Sequence, residues 1–220
     1  MNRFAFTAAA AVTLAGVTGG IAAAPAIFAQ DAAQLAGTKN PARVTAGTYT
    51  LDPAHTLVNW QVNHFGFNDY FGLFGNITGT MTIDPANIEA ATFEIMVPIS
   101  EVSVASAGLK DHLLRPGKEG AAPDFFGPSP GMAKFTSTSV TRTGSSTANV
   151  IGDLTMNGKT APVAMAVEFI GAGANPMSKK ETVGFHARAM IDRTQWGINY
   201  GVPMVGKDVT MTISAAFEKQ

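Results

Sequence analysis

Residues 56–65 read TLVNWQVNHF. Val58, Trp60, Val62 and His64 fall on one face of an extended chain, and Asn59, Gln61 and Asn63 fall on the other. Successive side chains of a strand point to opposite faces, so this period of two predicts a β-strand with one face in a core and one in water.

The alternation recurs on moving outward. Ile77, Gly79, Met81 and Ile83 interleave with Thr78, Thr80 and Thr82, and Phe93, Ile95, Val97 and Ile99 with Thr92, Glu94 and Met96. Val150, Gly152, Leu154 and Met156 are followed, after NGKTAP, by Val163, Met165, Val167 and Phe169. Phe185, Ala187, Ala189 and Ile191, then Val209, Met211, Ile213, Ala215 and Phe217, close the series. The turn-forming runs DPAN, TGSS, NGK and GAGANP lie between these segments. The expected fold class is therefore all-β and antiparallel, with a closed barrel and a two-sheet sandwich both open on pattern alone. One helical piece is expected in ASAGLKDHLLR, residues 105–115, with Leu109, Leu113 and Leu114 at helical spacing. Gly171-Ala172-Gly173 lacks the strand-to-helix setting of a dinucleotide loop and reads as a turn. Neither an internal repeat nor a second domain is visible.

The inward faces include Gly79, Gly152, Ala187, Ala189 and Ala215. An eight-stranded barrel holds either packed side chains or one small ligand, and small inward residues favour the ligand.

Residues 1–29 carry one early cation, Arg3, then a long run of Ala, Val, Leu and Gly ending in small residues. This is the pattern of a removed signal peptide, with cleavage after Ala26 or Ala29, and it points to a periplasmic or secreted protein. Residues 30–47 are small, polar and aperiodic, and are expected to form a flexible linker. No later segment approaches the ~20 apolar residues of a spanning helix. The chain has no cysteine, so a core must hold the exported protein without disulfides. A net charge of −1, with 14% charged residues and no basic stripe, gives nothing to drive nucleic-acid binding.

Residues 127–131, GPSPG, match the G-x-S-x-G pattern of serine hydrolases. A nucleophile elbow needs a strand, a strained turn and a helix. Ser129 instead stands between two prolines before a strand-like run, and Pro130 removes the N–H an oxyanion hole would use. The match is accidental. His55, His64, His112 and His186 have no metal-ligand spacing, so no metal site is expected. His64 ends an inward-facing series and is the candidate polar contact to a ligand head. Lys110, Arg115 and Lys118 cluster about the helical piece, as solvated surface or as an attraction for an anionic head.

YTLDPAHTLVNWQVNHFGF and FGLFGNITGTMTID, then DHLL, DFF, AKFTSTSV, GDLTMNGKTAPV and GFHARAMIDRTQWGI, occur in order over residues 48–220. This ordered set resembles the YceI-like family. The resemblance implies an extended antiparallel β-barrel, lipocalin-like, with an apolar interior for a long polyisoprenoid such as a polyprenyl pyrophosphate or a quinone tail. It implies periplasmic or secreted carriage, storage or a stress response, no catalytic residues, and no cofactor beyond a bound isoprenoid lipid or quinone. An accessory that presents a quinone or lipid to a membrane redox partner or enzyme is the alternative. Transient membrane contact and a homodimer are both compatible with it. Three departures stand out: Thr56 for a smaller residue, Lys110 near a usual Arg, and a longer link over residues 114–126. The expected ligand-binding residues are Val58, Trp60, Val62, His64, Ile77, Met81 and Phe93 from the first half. From the second come Ile95, Phe135, Leu154, Val167, Phe185 and Ile191.

Overall fold

The structure, a computed structural model, describes residues 35–220. The expected signal peptide and the start of the expected linker lie outside the described residues. The strands are β1 (Gly47–Leu51), β2 (Leu57–His64), β3 (Asn68–Phe74), β4 (Thr78–Ile83) and β5 (Thr92–Pro98). After helix α1 (Ala107–Leu114) come β6 (Met132–Arg142), β7 (Thr147–Met156), β8 (Lys159–Ala174), β9 (Glu181–Asp192) and β10 (Val205–Lys219).

All pairings are antiparallel. β10 bonds β9 along one side; along the other it bonds β2 over Val205–Ser214 and β1 over Phe217–Lys219. β1 lies opposite β4, and β2 opposite β3. The pairs β1–β2 and β3–β4 thus act as two long broken strands, and the sheet closes into an eight-stranded barrel of consecutive neighbours. Closure settles barrel against sandwich and pairs the backbone groups that sheet edges would leave free.

The first break has a visible cause. Asp52-Pro53 leaves the ladder, with the Asp52 carboxylate accepting from the Ala54 N–H at 2.9 Å. The buried Thr56 then returns to it, its hydroxyl accepting from the Ala216 N–H at 3.2 Å while the Asp52 N–H donates to the Ala216 carbonyl. The β7–β8 hairpin turns on Asn157-Gly158, both left-handed at φ 49° and 70°, the conformation a two-residue hairpin requires. Helix α1 is shorter than the 105–115 piece expected. It is capped by Ser106, whose hydroxyl accepts from the Leu109 N–H at 3.2 Å.

Gly171-Ala172-Gly173 is not a turn. It lies within β8, paired to Gly184, Val183 and Thr182 of β9, and the chain reverses only at residues 175–180. The missing side chains admit a second segment: a Cβ at Gly173 would stand 2.0 Å from the Ala36 carbonyl oxygen. Thr38 pairs there with Ala172, and Lys39 bonds Glu168. These contacts cover part of the stretch expected to be flexible.

The barrel has two unlike ends. One carries the β2–β3 turn, α1, the 114–131 loop and residues 193–204. The other carries the β4–β5, β6–β7 and β8–β9 connections and the segment around Thr45. At this second end the Tyr49 hydroxyl, fully buried, shares its one proton between Glu181 Oε1 at 2.6 Å and the Thr45 carbonyl at 2.7 Å. Burial, with the Glu181 carboxylate alongside, pushes the Tyr49 phenol up to about 12. Burial also opposes the charge on Glu181. Hydrogen bonds from the Thr45 and Tyr49 hydroxyls and the Thr45 N–H outweigh it and hold that carboxyl below its ordinary range.

Candidate functional site

The barrel interior is not filled. A cavity of about 530 Å³ runs through it, within the span typical of small-molecule sites. Large side chains such as Phe93, Ile95, Val167 and Phe185 remain only half-buried because one side of each faces the void. Of the candidates named from the sequence, Val58, Trp60, Val62, His64, Ile77, Phe93, Ile95, Phe135, Leu154, Val167, Phe185 and Ile191 all line this cavity. Met81 does not. It is fully buried opposite Tyr49 of β1, in the close-packed part of the core. Its alternation was right, but period two gives the face of a strand and not the height along the barrel.

The small inward residues divide in the same way. Ala187 and Ala215 line the cavity. Gly152 and Gly79 do not create space but receive neighbours. A Cβ at Gly152 would stand 2.4 Å from Phe135 Cζ and 2.5 Å from the Thr136 carbonyl oxygen, and one at Gly79 2.3 Å from the Glu94 carbonyl oxygen. Ala189 is buried in the core without reaching the cavity.

The opening is at the end that carries α1. Among the residues lining the cavity, the exposed ones are His64, Ser106 and Tyr200, and all three stand there. Phe125 and Phe126, from the long 114–126 link, complete this end, with Phe126 anchored by its N–H to the Leu113 carbonyl at 3.0 Å. Asp124 ties the link to the helix: it accepts from His112 Nε2 at 2.7 Å and Arg115 Nη2 at 3.0 Å. The His112 ring, then the Arg115 guanidinium, hold its carboxyl below the usual range. His112 packs edge-on against Phe125 and Tyr200, with ring centroids at 5.1 and 4.8 Å. Arg115, one of the clustered cations, is thus spent on Asp124, while Lys110 and Lys118 are exposed.

Helix α1 and the connections supplied lining residues that alternation could not indicate: His112 from the helix, and Phe125, Arg193, Ile198 and Tyr200 from outside the strands. Met165, Val209, Met211 and Ile213 also line the cavity and stood on inward faces legible in the sequence. Arg193 is a buried cation that donates to the carbonyls of Gly206, Ile198, Tyr200 and Val205 at 2.8–3.0 Å. It staples the 193–205 segment to the rim by charge-assisted bonds. The Trp60 indole N–H is buried without a hydrogen-bond partner among the described residues, and the ring lies against Gly72, where a Cβ would come within 2.1 Å of it.

At the far end a smaller cavity of about 100 Å³ lies beyond a row of phenylalanines. Phe93, Phe217, Phe185 and Phe169 follow one another with centroids 6.1–6.4 Å apart, tilted edge to face. Phe93, Val150, Val167 and Phe185 border both spaces and form the partition.

No carboxylate lines the larger cavity among the described residues. Ser129 is exposed in the loop before β6, without the strand-to-helix context of a nucleophile elbow. His55 is exposed and paired to Asp52 at 2.6 Å, and His186 points outward. Among the described residues no three His, Asp or Glu side chains meet as a metal would need. The arrangement suits the burial of an apolar chain with a polar group kept at the rim.

A family model for a YceI-like domain matches residues 49–217. A UPF0312 protein of Pseudomonas fluorescens is 34% identical over 181 residues, covering 81% of this chain and 90% of the relative. Another, of Ectopseudomonas mendocina, is 36% identical over 134 residues, 60% of this chain and 66% of the relative. BcnA of Burkholderia cenocepacia shares the fold at 20% identity, with a TM-score of 0.61, over 76% of this chain and 98% of that one. So does a polyisoprenoid binding domain from Saccharophagus degradans implicated in plant cell wall breakdown, at 11% identity and a TM-score of 0.52, over 78% and 98%.

Proposed function

We propose that this chain, which belongs to the YceI-like family, is a carrier that holds one long isoprenoid tail in its barrel. The tail would run inward from the rim and the polar head would stay near His64, Ser106 and Tyr200. The observation that supports this most is the cavity itself: about 530 Å³, walled by apolar side chains, with its exposed lining residues at one end. Each CH₂ taken from water contributes ~0.8 kcal/mol, so a ten-carbon stretch offers roughly 8 kcal/mol before the costs of association. Micromolar binding needs about 8 kcal/mol after those costs, so it asks for a tail longer than ten carbons rather than for a strong polar anchor. The solved polyisoprenoid binding domain of the same fold supports the choice of tail. Carriage in an exported compartment, with transient contact at a membrane to load and unload, fits the apolar N-terminal stretch.

The test is to purify the protein without detergent from the compartment to which its host exports it, extract it, and examine the extract by mass spectrometry. A stoichiometric polyprenyl or isoprenoid-quinone species is expected. An empty extract, together with no thermal shift on adding such lipids, would overturn the carrier reading.

A further inference from the structure

Resting on that reading, we propose that the rim is also a docking surface for a lipid bilayer, built from the β2–β3 turn and residues 200–204. Phe67, at the tip of the turn, is 90% exposed, and Phe65 beside it is 44% exposed. Met204 and Val202, on the second loop, are 58% and 37% exposed. The two loops form one platform, since the Phe65 N–H donates to the Met204 carbonyl at 2.8 Å.

The turn that raises Phe67 is held in an uncommon conformation. Phe65 and Gly66 both adopt left-handed backbone, at φ 57° and 73°. The first is disfavoured for a bulky side chain and persists only where the surroundings enforce it. Here Asn63 Oδ1 accepts from the Gly66 N–H at 2.8 Å, and the His64 carbonyl from the Phe67 N–H at 3.1 Å.

Three observations name the occupant. Residues 63–68 and 198–206 contain no Asp, Glu, Lys or Arg, so seating these two loops in a lipid interface strips no charged side chain of their own of water. The platform adjoins the opening: His64 and Val205, which line the cavity, are next in the chain to Phe65 and Met204, and Tyr200, also in the lining, is two residues from Val202. A tail leaving the acyl region there enters the barrel without crossing water. Area argues against a second copy of the chain. Four partly exposed side chains offer on the order of a few hundred Å², short of the ~800 Å² per partner that a stable protein pair buries. Exposed Met177 lies in the β8–β9 turn, at the opposite end of the barrel from the opening.

The test uses the protein purified from cells that make the whole chain, with vesicles of phosphatidylethanolamine and phosphatidylglycerol. The variants are Phe67→Ser and Met204→Ser, which line no part of the cavity, with Met177→Ser, at the opposite end of the barrel, as the control. In flotation, each rim variant is expected to lower partitioning on the order of tenfold, the effect of withdrawing one large apolar side chain from the interface; Met177→Ser should leave it unchanged. A long-chain polyprenol is then supplied either in the vesicles or in detergent micelles. Slower loading from vesicles with unchanged loading from micelles supports docking. Wild-type partitioning and vesicle loading in both rim variants would overturn docking and leave the carrier reading standing. So would a rim-dependent dimer in sedimentation velocity without vesicle binding. Failure to take up polyprenol from either source would sink the carrier reading, while flotation would still decide docking by itself.

Discussion

Ala187 and Gly152 are both small, both inward-facing, and placed in opposite circumstances, which makes them a matched pair for testing the cavity. Ala187 sits on β9 between Val167 of β8 and Ile213 of β10, and all three line the larger space. Ala187→Leu adds three carbons there. In a filled core that change costs about 1–3 kcal/mol by overpacking. In this barrel the carbons enter the void, and thermal stability should hold or rise. The loss falls on the ligand: displacing about three methylenes of tail removes about 2.4 kcal/mol, on the order of fiftyfold in Kd. Calorimetric titration of delipidated protein with a long-chain polyprenol, paired with thermal unfolding, reads both quantities. Gly152→Ala should do the reverse. Its Cβ would meet the Phe135 ring and the Thr136 carbonyl, lowering stability by about 1–3 kcal/mol, or roughly 2–4 °C per kcal/mol at this size. An Ala187→Leu protein that unfolds at lower temperature yet binds tail as tightly as wild type would refute the placement of the void.

Three further outcomes follow from other contacts. Phe185→Ala should breach the partition between the two cavities and move the preferred tail toward greater length, read by competition between polyprenols of graded size. The Tyr49 phenol, pushed from 10.0 to about 12, contributes stability that is full below pH 10 and is lost as pH rises through 12. Alkaline unfolding should therefore steepen in that window for wild type and flatten for Tyr49→Phe. Arg193→Lys leaves the carbonyls of Ile198, Tyr200, Val205 and Gly206 without the planar fork that now reaches them. It should cost about 3 kcal/mol or more, with faster amide exchange over residues 198–206.

The strands were legible because half-burial leaves an alternation that water enforces. The stretch from Val58 to His64 shows this directly: its apolar face and its rim histidine both reappear as cavity lining. What could not be read depended on contacts distant in sequence. Nothing local marks Gly152 as the seat for the Phe135 ring, or Gly173 as the gap that admits Ala36. Met81 was given the correct face, but its depth depends on where Tyr49 plugs the barrel. Arg193 and Tyr200 lie in a segment without periodicity, and Arg193 is explained only by carbonyls that the fold brings to it. Phe125 and Phe126 came from a link whose extra length had signalled only a loop.

The chain has two tryptophans, and the fold sets them apart. Trp196 is buried outside the cavity, its indole N–H donating to the Leu154 carbonyl at 2.9 Å. Trp60 forms part of the wall, one inward position below Val62 and two below the rim at His64. Its emission is therefore a built-in reporter of the occupant, with Trp196 as the internal reference. A saturated or isoprenoid chain shifts the colour of Trp60 by changing the polarity beside it. A quinone ring parked at the rim accepts excited-state electrons and darkens it instead. The head group carried by the tail can thus be sorted by a fluorimeter, on unlabelled protein, before any lipid is extracted.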